Sequence, residues 1–353
     1  MLRKKRWREV LLALGIAFSL LVLPPMRSLV MAPALFVNVA VPKGAWRPLE
    51  LISREPTRES YVLNSPRGVR ILVDLYVPAS GSKNPAVLLY APIAQEGQRD
   101  FRLVNMAESL AQIGFIVTIP LQEEDPRILS RENVTDLVAA YQNLLLDPRV
   151  DKKRTGFFSI SYSNGPVFLA ATDRQVKDDV AFLVSFAGYF DLSETLRALA
   201  QSPGQIPAIP GEEPPGEWVR DLVRVNLRLR GFSEEEISTF LTQPEEFDAF
   251  LANHPELRAE MQALSPRAVI DQVDVRTIIA HSTNDPAIPH MQSIQLAESL
   301  QNRVPVTLSI VNMFEHGELL PFTARTLVKN YLPSFFAGYR FLYQLHALTW
   351  RVE

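Results

Sequence analysis

The sequence predicts an α/β fold: a mostly parallel central sheet flanked by helices, with a helical cap insertion and an N-terminal hydrophobic segment. Three observations predict it. From Trp46 onward, short apolar runs alternate with longer amphipathic ones. One run, Ala86–Ala91 (AVLLYA), is apolar throughout, as in a strand buried on both faces. The alternation stops after Val180–Ala187 and resumes at Val275, with helical, proline-punctuated sequence between.

The first 44 residues stand apart. Arg3, Lys4, Lys5, Arg6 and Arg8 precede a charge-free run from Val10 to Leu23 (VLLALGIAFSLLVL). As a helix it would span roughly 21 Å against about 30 Å of hydrocarbon, short for a crossing and well sized for the apolar part of an export signal. Pro24-Pro25 stops it. A second apolar stretch, Leu29–Val41, holds an Ala32-Pro33-Ala34 triplet that resembles a cleavage site. Residues 1–44 are therefore expected to be a signal peptide or membrane anchor plus apolar linker. That would leave the remainder exported, or tethered through Pro42–Pro56 on the non-cytoplasmic side. The alternative is a buried or amphipathic first helix of a cytoplasmic protein.

The elements then follow in order. Tyr61–Asn64 and Val69–Val77 read as strands joined by the turn Ser65-Pro66-Arg67-Gly68. After the buried run, Leu103, Met106, Leu110 and Ile113 have helical spacing, Gly114 ends that helix, and Phe115–Ile119 is a strand. Asn133–Leu146 repeats the helix and Thr155–Ile160 the strand. Residues 45–192 and 266–353 form the core, and 193–265 the helical insertion. Within the insertion, Ser202–Gly216 is a proline-rich loop, and Glu217–Arg230 places Trp218, Leu222, Val225 and Leu229 on one face. Ser233 with Glu236 makes a capping box, and two short helices start near Pro244 and Pro255. Arg220, Arg224 and Arg228 form a basic stripe, expected as a solvated face, with anionic lipid or an acidic substrate as the alternative.

Composition closes several routes. The 353 residues carry 36 Lys and Arg against 39 Asp and Glu, a net charge of −3 that gives no electrostatic footprint for nucleic acid. With 47% apolar and 21% charged residues the chain is not disordered, and with no cysteine it has neither disulfides nor thiolate chemistry. None of the five histidines pairs with another at metal-ligand spacing, so no metal is expected, and no cofactor either.

Chemistry is carried by three segments. Thr155–Gly165 runs from an apolar strand into a helix, with Ser161 at the joint between small residues, Ser159 and Ser163. Thr277–Pro289 (TIIAHSTNDPAIP) is a buried strand ending in an Asn-Asp-Pro loop around Asp285. Val306–Val311 leads to Asn312-Met313-Phe314-Glu315-His316-Gly317. This set resembles the α/β-hydrolase superfamily, whose nucleophile elbow is usually Gly-x-Ser-x-Gly and whose triad runs Ser, Asp, His along the chain. Both elbow glycines are serines here. The resemblance covers about Tyr61–Leu192 and Leu264–Tyr331, and Leu146-Asp147-Pro148-Arg149-Val150-Asp151 is similar to the lead-in of dienelactone-hydrolase-like and prolyl-oligopeptidase-like branches. It implies Ser161 as nucleophile, His316 as general base and acid, and Asp285 as the residue orienting it. It also implies an oxyanion hole from the backbone N–H of Tyr162 and of Ile93, in the loop where Pro92 has no N–H to give. His281 sits where the family often has a structural histidine. His290 reads as a helix start, and His254 and His346 fall in helical segments.

The expectation is a serine hydrolase of an ester, thioester or amide, on a small-molecule or lipid-like substrate. Carboxylesterase chemistry is preferred over peptidase because no N-terminal propeller is visible. The alternatives are a catalytically silent scaffold for binding and an acyltransferase using the same three residues. The membrane could be met through the N-terminal segment.

Overall fold

The computed structural model describes residues 15, 23–40, 46–79, 81, 83–91, 100–122, 127–201, 217–316 and 318–350. Most of the Val10–Leu23 run, the Ser202–Gly216 loop and Ile93 lie outside them. Eight strands form one sheet in the order β1-β2-β4-β3-β5-β6-β7-β8. They are β1 (Thr57–Asn64), β2 (Arg70–Val77), β3 (Asn84–Tyr90), β4 (Ile116–Gln122), β5 (Val150–Ile160), β6 (Phe182–Phe186), β7 (Arg276–Ser282) and β8 (Val306–Val311). The pairs β1/β2 and β2/β4 are antiparallel, and all other neighbours are parallel. The β1–β2 turn closes where Gly68, at φ +83°, donates its N–H to Ser65 O. The Asp147–Arg149 lead-in to β5 has a local structural role: Arg149 binds Asp147 and, through both terminal nitrogens, Glu59 on β1.

Helices cover both faces. On one side α4 (Glu132–Leu146), α5 (Asn164–Ala171) and α11 (Met291–Leu300) enclose a core around Leu88, Phe157, Phe168 and Ile279. On the other, α1 (Pro24–Ala40), the short α2 (Pro48–Ile52), α3 (Phe101–Gln112) and α12 (Leu332–Ala347) enclose Val87, Phe158, Val184 and Ile278. Adjacent strand positions thus feed opposite cores, which is why these strands read as continuous apolar runs.

Between β6 and β7 lie α6 (Leu192–Gln201), α7 (Glu217–Leu229), α8 (Glu234–Thr242), α9 (Phe247–Asn253) and α10 (Pro255–Ala263). They share a third core with Tyr162, Tyr189, Ala287 and Ile288, residues next to the predicted site. The capping box at Ser233 and Glu236 is present. Of the expected inward face of α7, Leu222 is buried and the Trp218 side chain lies outside the described residues, but Leu229 is exposed and Val225 only half-buried, and Val219, Val223 and Leu227 are buried in their stead. The rotation is fixed by polar contacts that a count of apolar residues cannot see. Asn226 accepts the Leu129 N–H and donates to Arg127 O, and Arg230 binds Glu260 on α10. The basic stripe is solvated at Arg228, whereas Arg220 and Arg224 are half-buried. Arg220 donates to Leu199 O and Leu241 O at the ends of α6 and α8, and Arg228 pairs with Glu234.

Residues 24–40 were expected either as part of an apolar linker holding a cleavage-like triplet or as part of a buried or amphipathic first helix. They form α1, with Met31, Ala32, Ala34 and Leu35 buried in the sheet-side core. Asn38 accepts the Leu49 N–H and donates to Gln112, and the Ser28 hydroxyl lies 2.5 Å from His346 Nδ1 on α12. Trp350 Nε1–H donates to the same Ser28 Oγ, so the serine joins the two side chains. Burial, with a smaller push from the Arg27 charge, lowers that imidazole to about 4. The unfolded chain takes up the proton near the ordinary value of 6.5, so between these limits the unfolded state binds more protons. Stability is full above the window and falls as pH descends through it, by up to about 3 kcal/mol from this residue. His346→Gln, which keeps an acceptor for Ser28, is expected to lose that part of the slope in denaturant titrations between pH 7 and 4. Parallel curves for the two proteins would contradict it.

Candidate active site

Ser161 sits at the C-terminal end of β5, on the single 3-10 turn (Ser161–Ser163) that leads into α5. Its backbone is left-handed, φ +62°, a conformation costing about 1–2 kcal/mol for a residue with a Cβ. The surroundings hold it there. Ser163 accepts the Ile160 N–H at 2.8 Å and points its hydroxyl at Tyr90 O, 2.7 Å away on β3. Ser159 bonds Asn164 at 2.6 Å, and Asn164 donates to Tyr189 O. The two serines that replace glycines are therefore fully buried and satisfied by the strands they touch. The close approach falls two residues later, at Gly165. A Cβ on Gly165 would stand 2.0 Å from both Leu264 O and Tyr189 Oη, so α5 packs there only with glycine.

Asp285 lies on the loop after β7, its side chain wholly buried. One oxygen accepts the backbone N–H groups of Ala287 and Ile288 at 2.8 and 3.0 Å. His316 follows β8 on the small hairpin of β9 (Phe314–Glu315) and β10 (Glu318–Leu319), with φ +31°. The two loops are tied together: Ser282 Oγ–H donates to Phe314 O, Thr283 N–H to Val311 O, and Asn284 to Asn312 O.

These ties bring the three predicted residues into one line. Ser161 Oγ is 2.7 Å from His316 Nε2, and His316 Nδ1 is 2.8 Å from both Asp285 carboxylate oxygens. Nδ1 therefore carries the proton, and Nε2 is left to accept from the serine hydroxyl. Burial alone would raise the Asp285 carboxyl. The His316 charge and hydrogen bonds from His281 and His316 outweigh it and hold the group well below the usual carboxylate range. The Tyr162 backbone follows Ser161 in the same turn, and its ring is buried with the hydroxyl donating to Ala287 O. Ile93 lies outside the described residues.

One contributor was not legible beforehand. His281, on β7, is completely buried and does more than fill space. Its Nε2 lies 3.2 Å from Asp285 Oδ2 and 3.0 Å from Ile288 O, while the Ser293 hydroxyl meets Nδ1 at 2.7 Å. Asp285 is thus held between two imidazoles. The family position of His281 and its four-residue spacing from Asp285 across a strand end were the available signals, and neither says that the Asp285 loop folds back onto the imidazole.

Beside Tyr162 a half-open cavity of about 50 Å³ is lined by Leu129, Leu196, Leu222, Met261 and Leu264, with Arg230 and Glu260 paired to each other at its edge. It has room for a few water-sized volumes and is almost wholly apolar.

Neither a protein-family model nor a curated relative matches the sequence. Solved structures do match. A puromycin-hydrolysing peptidase from Mycobacterium tuberculosis superposes with a TM-score of 0.56 at 16% identity, covering 84% of this chain and 40% of that one. Acylaminoacyl peptidase from Pyrococcus horikoshii gives 0.53 at 15%, covering 84% and 42%. A 2,6-dihydroxy-pseudo-oxynicotine hydrolase gives 0.51 at 15%, covering 82% and 68%. The chain has the α/β-hydrolase fold. It spans about two fifths of the length of the two peptidases. The α/β-hydrolase strand order places the ends of β5, β7 and β8 at one sheet edge, where the three side chains meet.

Proposed function

We propose that this α/β-hydrolase-fold chain is a serine hydrolase that cleaves an ester, with thioesters and amides as further substrates, through an acyl-enzyme on Ser161. The observation that carries it is the continuous hydrogen-bonded line from Ser161 Oγ through His316 to Asp285, at 2.7 and 2.8 Å. A serine hydroxyl is a weak nucleophile at its own pKa, and a base at this distance removes the difficulty. His316 Nε2 takes the Ser161 proton as Oγ bonds to the substrate carbonyl carbon. The resulting oxyanion meets the Tyr162 N–H. The protonated imidazole then gives its proton to the departing alcohol, leaving an acyl group on Oγ. Water repeats the cycle: His316 takes its proton, the acid leaves, and Ser161 is restored. Asp285 keeps Nδ1 protonated throughout and balances the transient imidazolium.

The apolar cavity beside Tyr162 supports an uncharged, short or branched acyl or alcohol group, since its two charged residues neutralise one another. On this reading α6–α10 act as a cap that selects substrate. Met261→Ala and Leu222→Ala, which enlarge the cavity, are expected to move the chain-length optimum of p-nitrophenyl esters upward, changing kcat/KM ratios by about 1–3 kcal/mol per apolar group. Wild-type and variant are compared on the ester series and on aminoacyl-p-nitroanilides. An unchanged profile in folded variants would remove the cap from selection, and faster cleavage of the anilides than of every ester would reverse the ester preference.

A further inference from the structure

Helix α12 is apolar on two sides. Ser334, Gly338, Phe341 and Leu345 pack inward, as the fold requires. Leu332, Phe335 and Phe336, with Val328 on the turn before the helix, face out at the same helical spacing beside the half-buried Tyr339, and Phe336 is 80% exposed. Just before them Phe322 is 75% exposed and stacks edge-on against Tyr331. A surface helix normally turns a polar face to water; one with a second apolar face leaves that face to be covered. The outward stripe continues onto α1, where Met26 and Leu29, and Leu23 just before the helix, are exposed and the Tyr339 hydroxyl reaches Leu29 O at 3.5 Å.

Two facts say what covers it. The first is charge. The protein is acidic overall, yet no Asp or Glu occurs between residues 10 and 49 or between 321 and 352. Arg27, Arg325, Lys329 and Arg340 stand exposed in these stretches. Aromatic and aliphatic side chains among unopposed cations are the composition of an element lying in the headgroup region of anionic lipid. The second is continuity. The charge-free run Val10–Leu23, behind Arg3, Lys4, Lys5, Arg6 and Arg8, enters α1 with no polar spacer, and its last residue begins the exposed stripe.

We propose that the outward face of α1 and α12 seats on the surface of an anionic phospholipid bilayer, so that the folded domain itself lies on the membrane. The face is built on the same C-terminal segment that follows the His316 hairpin: Phe314, Leu319, Tyr331 and Phe36 of α1 pack in one cluster. The proposal stands on the surface and not on the catalytic reading.

The absence of cysteine allows a direct test. Full-length Phe336→Cys and Met26→Cys carry a nitroxide label, with Glu235→Cys on α8 as control. Vesicles contain phosphatidylcholine alone or with about a third phosphatidylglycerol. With the anionic vesicles, labels at 336 and 26 are expected to gain collisions with oxygen and lose those with a water-soluble nickel chelate, and the label at 235 to change in neither. Phe335→Ser with Phe336→Ser should weaken partitioning roughly tenfold or more. Arg325→Glu with Lys329→Glu should erase the preference for the anionic lipid. Bound vesicles with a water-exposed label at 336 would overturn the proposal and leave the first 22 residues as the sole contact. A label shielded before lipid is added would overturn it in favour of cover by those residues, if independent of protein concentration, or by a second copy, if dependent on it. Absence of vesicle binding would overturn it outright. Fluorophosphonate labelling of Ser161 in the same samples keeps failure of this face separate from failure of the hydrolase reading.

Discussion

Ser161→Ala is expected to lower kcat by about 10⁴–10⁶, and His316→Ala by about as much, with the double substitution costing little more. The reason is geometric. Oγ is 2.7 Å from its base, and the two groups perform one proton transfer; removing either stops it. What survives is binding and the N–H groups around the oxyanion. The backbone at Ser161 supplies a control that a structural role would fail. At φ +62° the position suits glycine better than any residue with a Cβ. Ser161→Gly is therefore expected to melt no lower than the wild type while turning over nothing. A large loss of stability with retained activity would mean that the left-handed serine is architectural.

Asp285→Asn is expected to cost up to about 10⁴ in kcat, because an amide can present its N–H to Nδ1 and stabilise the wrong imidazole tautomer. Asp285→Ala should cost stability too. It would leave the buried backbone N–H groups of Ala287 and Ile288 short of an acceptor, and His281 Nε2–H with Ile288 O alone. His281 is a positioning residue, since it touches the acid and not the nucleophile. His281→Phe should lower kcat by on the order of 10–10², through loss of carboxylate placement, with KM little changed. Steady-state kinetics and thermal melts on the four variants Asp285→Asn, Asp285→Ala, His281→Phe and His281→Gln check this. His281→Gln keeps a donor and is expected to recover part of the loss. Equal activity of His281→Phe and wild type would make the second imidazole a packing residue only.

Much of this was legible in the sequence because it rests on periodicity and chain order. The runs at Ala86, Thr155 and Thr277 read as strands since both faces of each are buried in separate cores. Gly114, at φ +113°, and the Ser233 capping box are local signals and mark their helix ends where expected. What was not legible depends on contacts distant in sequence. The rotation of α7 is set by Asn226 and Arg230 reaching the Leu129 backbone and Glu260. The role of Ser28–Ala40 is set by an imidazole 318 residues away at His346. An apolar helix that packs on a sheet and an apolar stretch that follows an export signal have the same composition; only the partner distinguishes them. His281 belongs to the same class, since its contact with Asp285 is made by a loop that returns to the strand end.

An activated nucleophile at Ser161 reacts covalently with an electrophilic phosphorus centre, and that reaction can be read on the residue itself. The purified full-length protein is treated with a fluorophosphonate probe and the modified peptide located by mass spectrometry. The expected result is one adduct, on Ser161, absent in Ser161→Ala and strongly slowed in His316→Ala. Ester turnover by a protein that stays unlabelled at Ser161, or that is labelled on another residue, would contradict it.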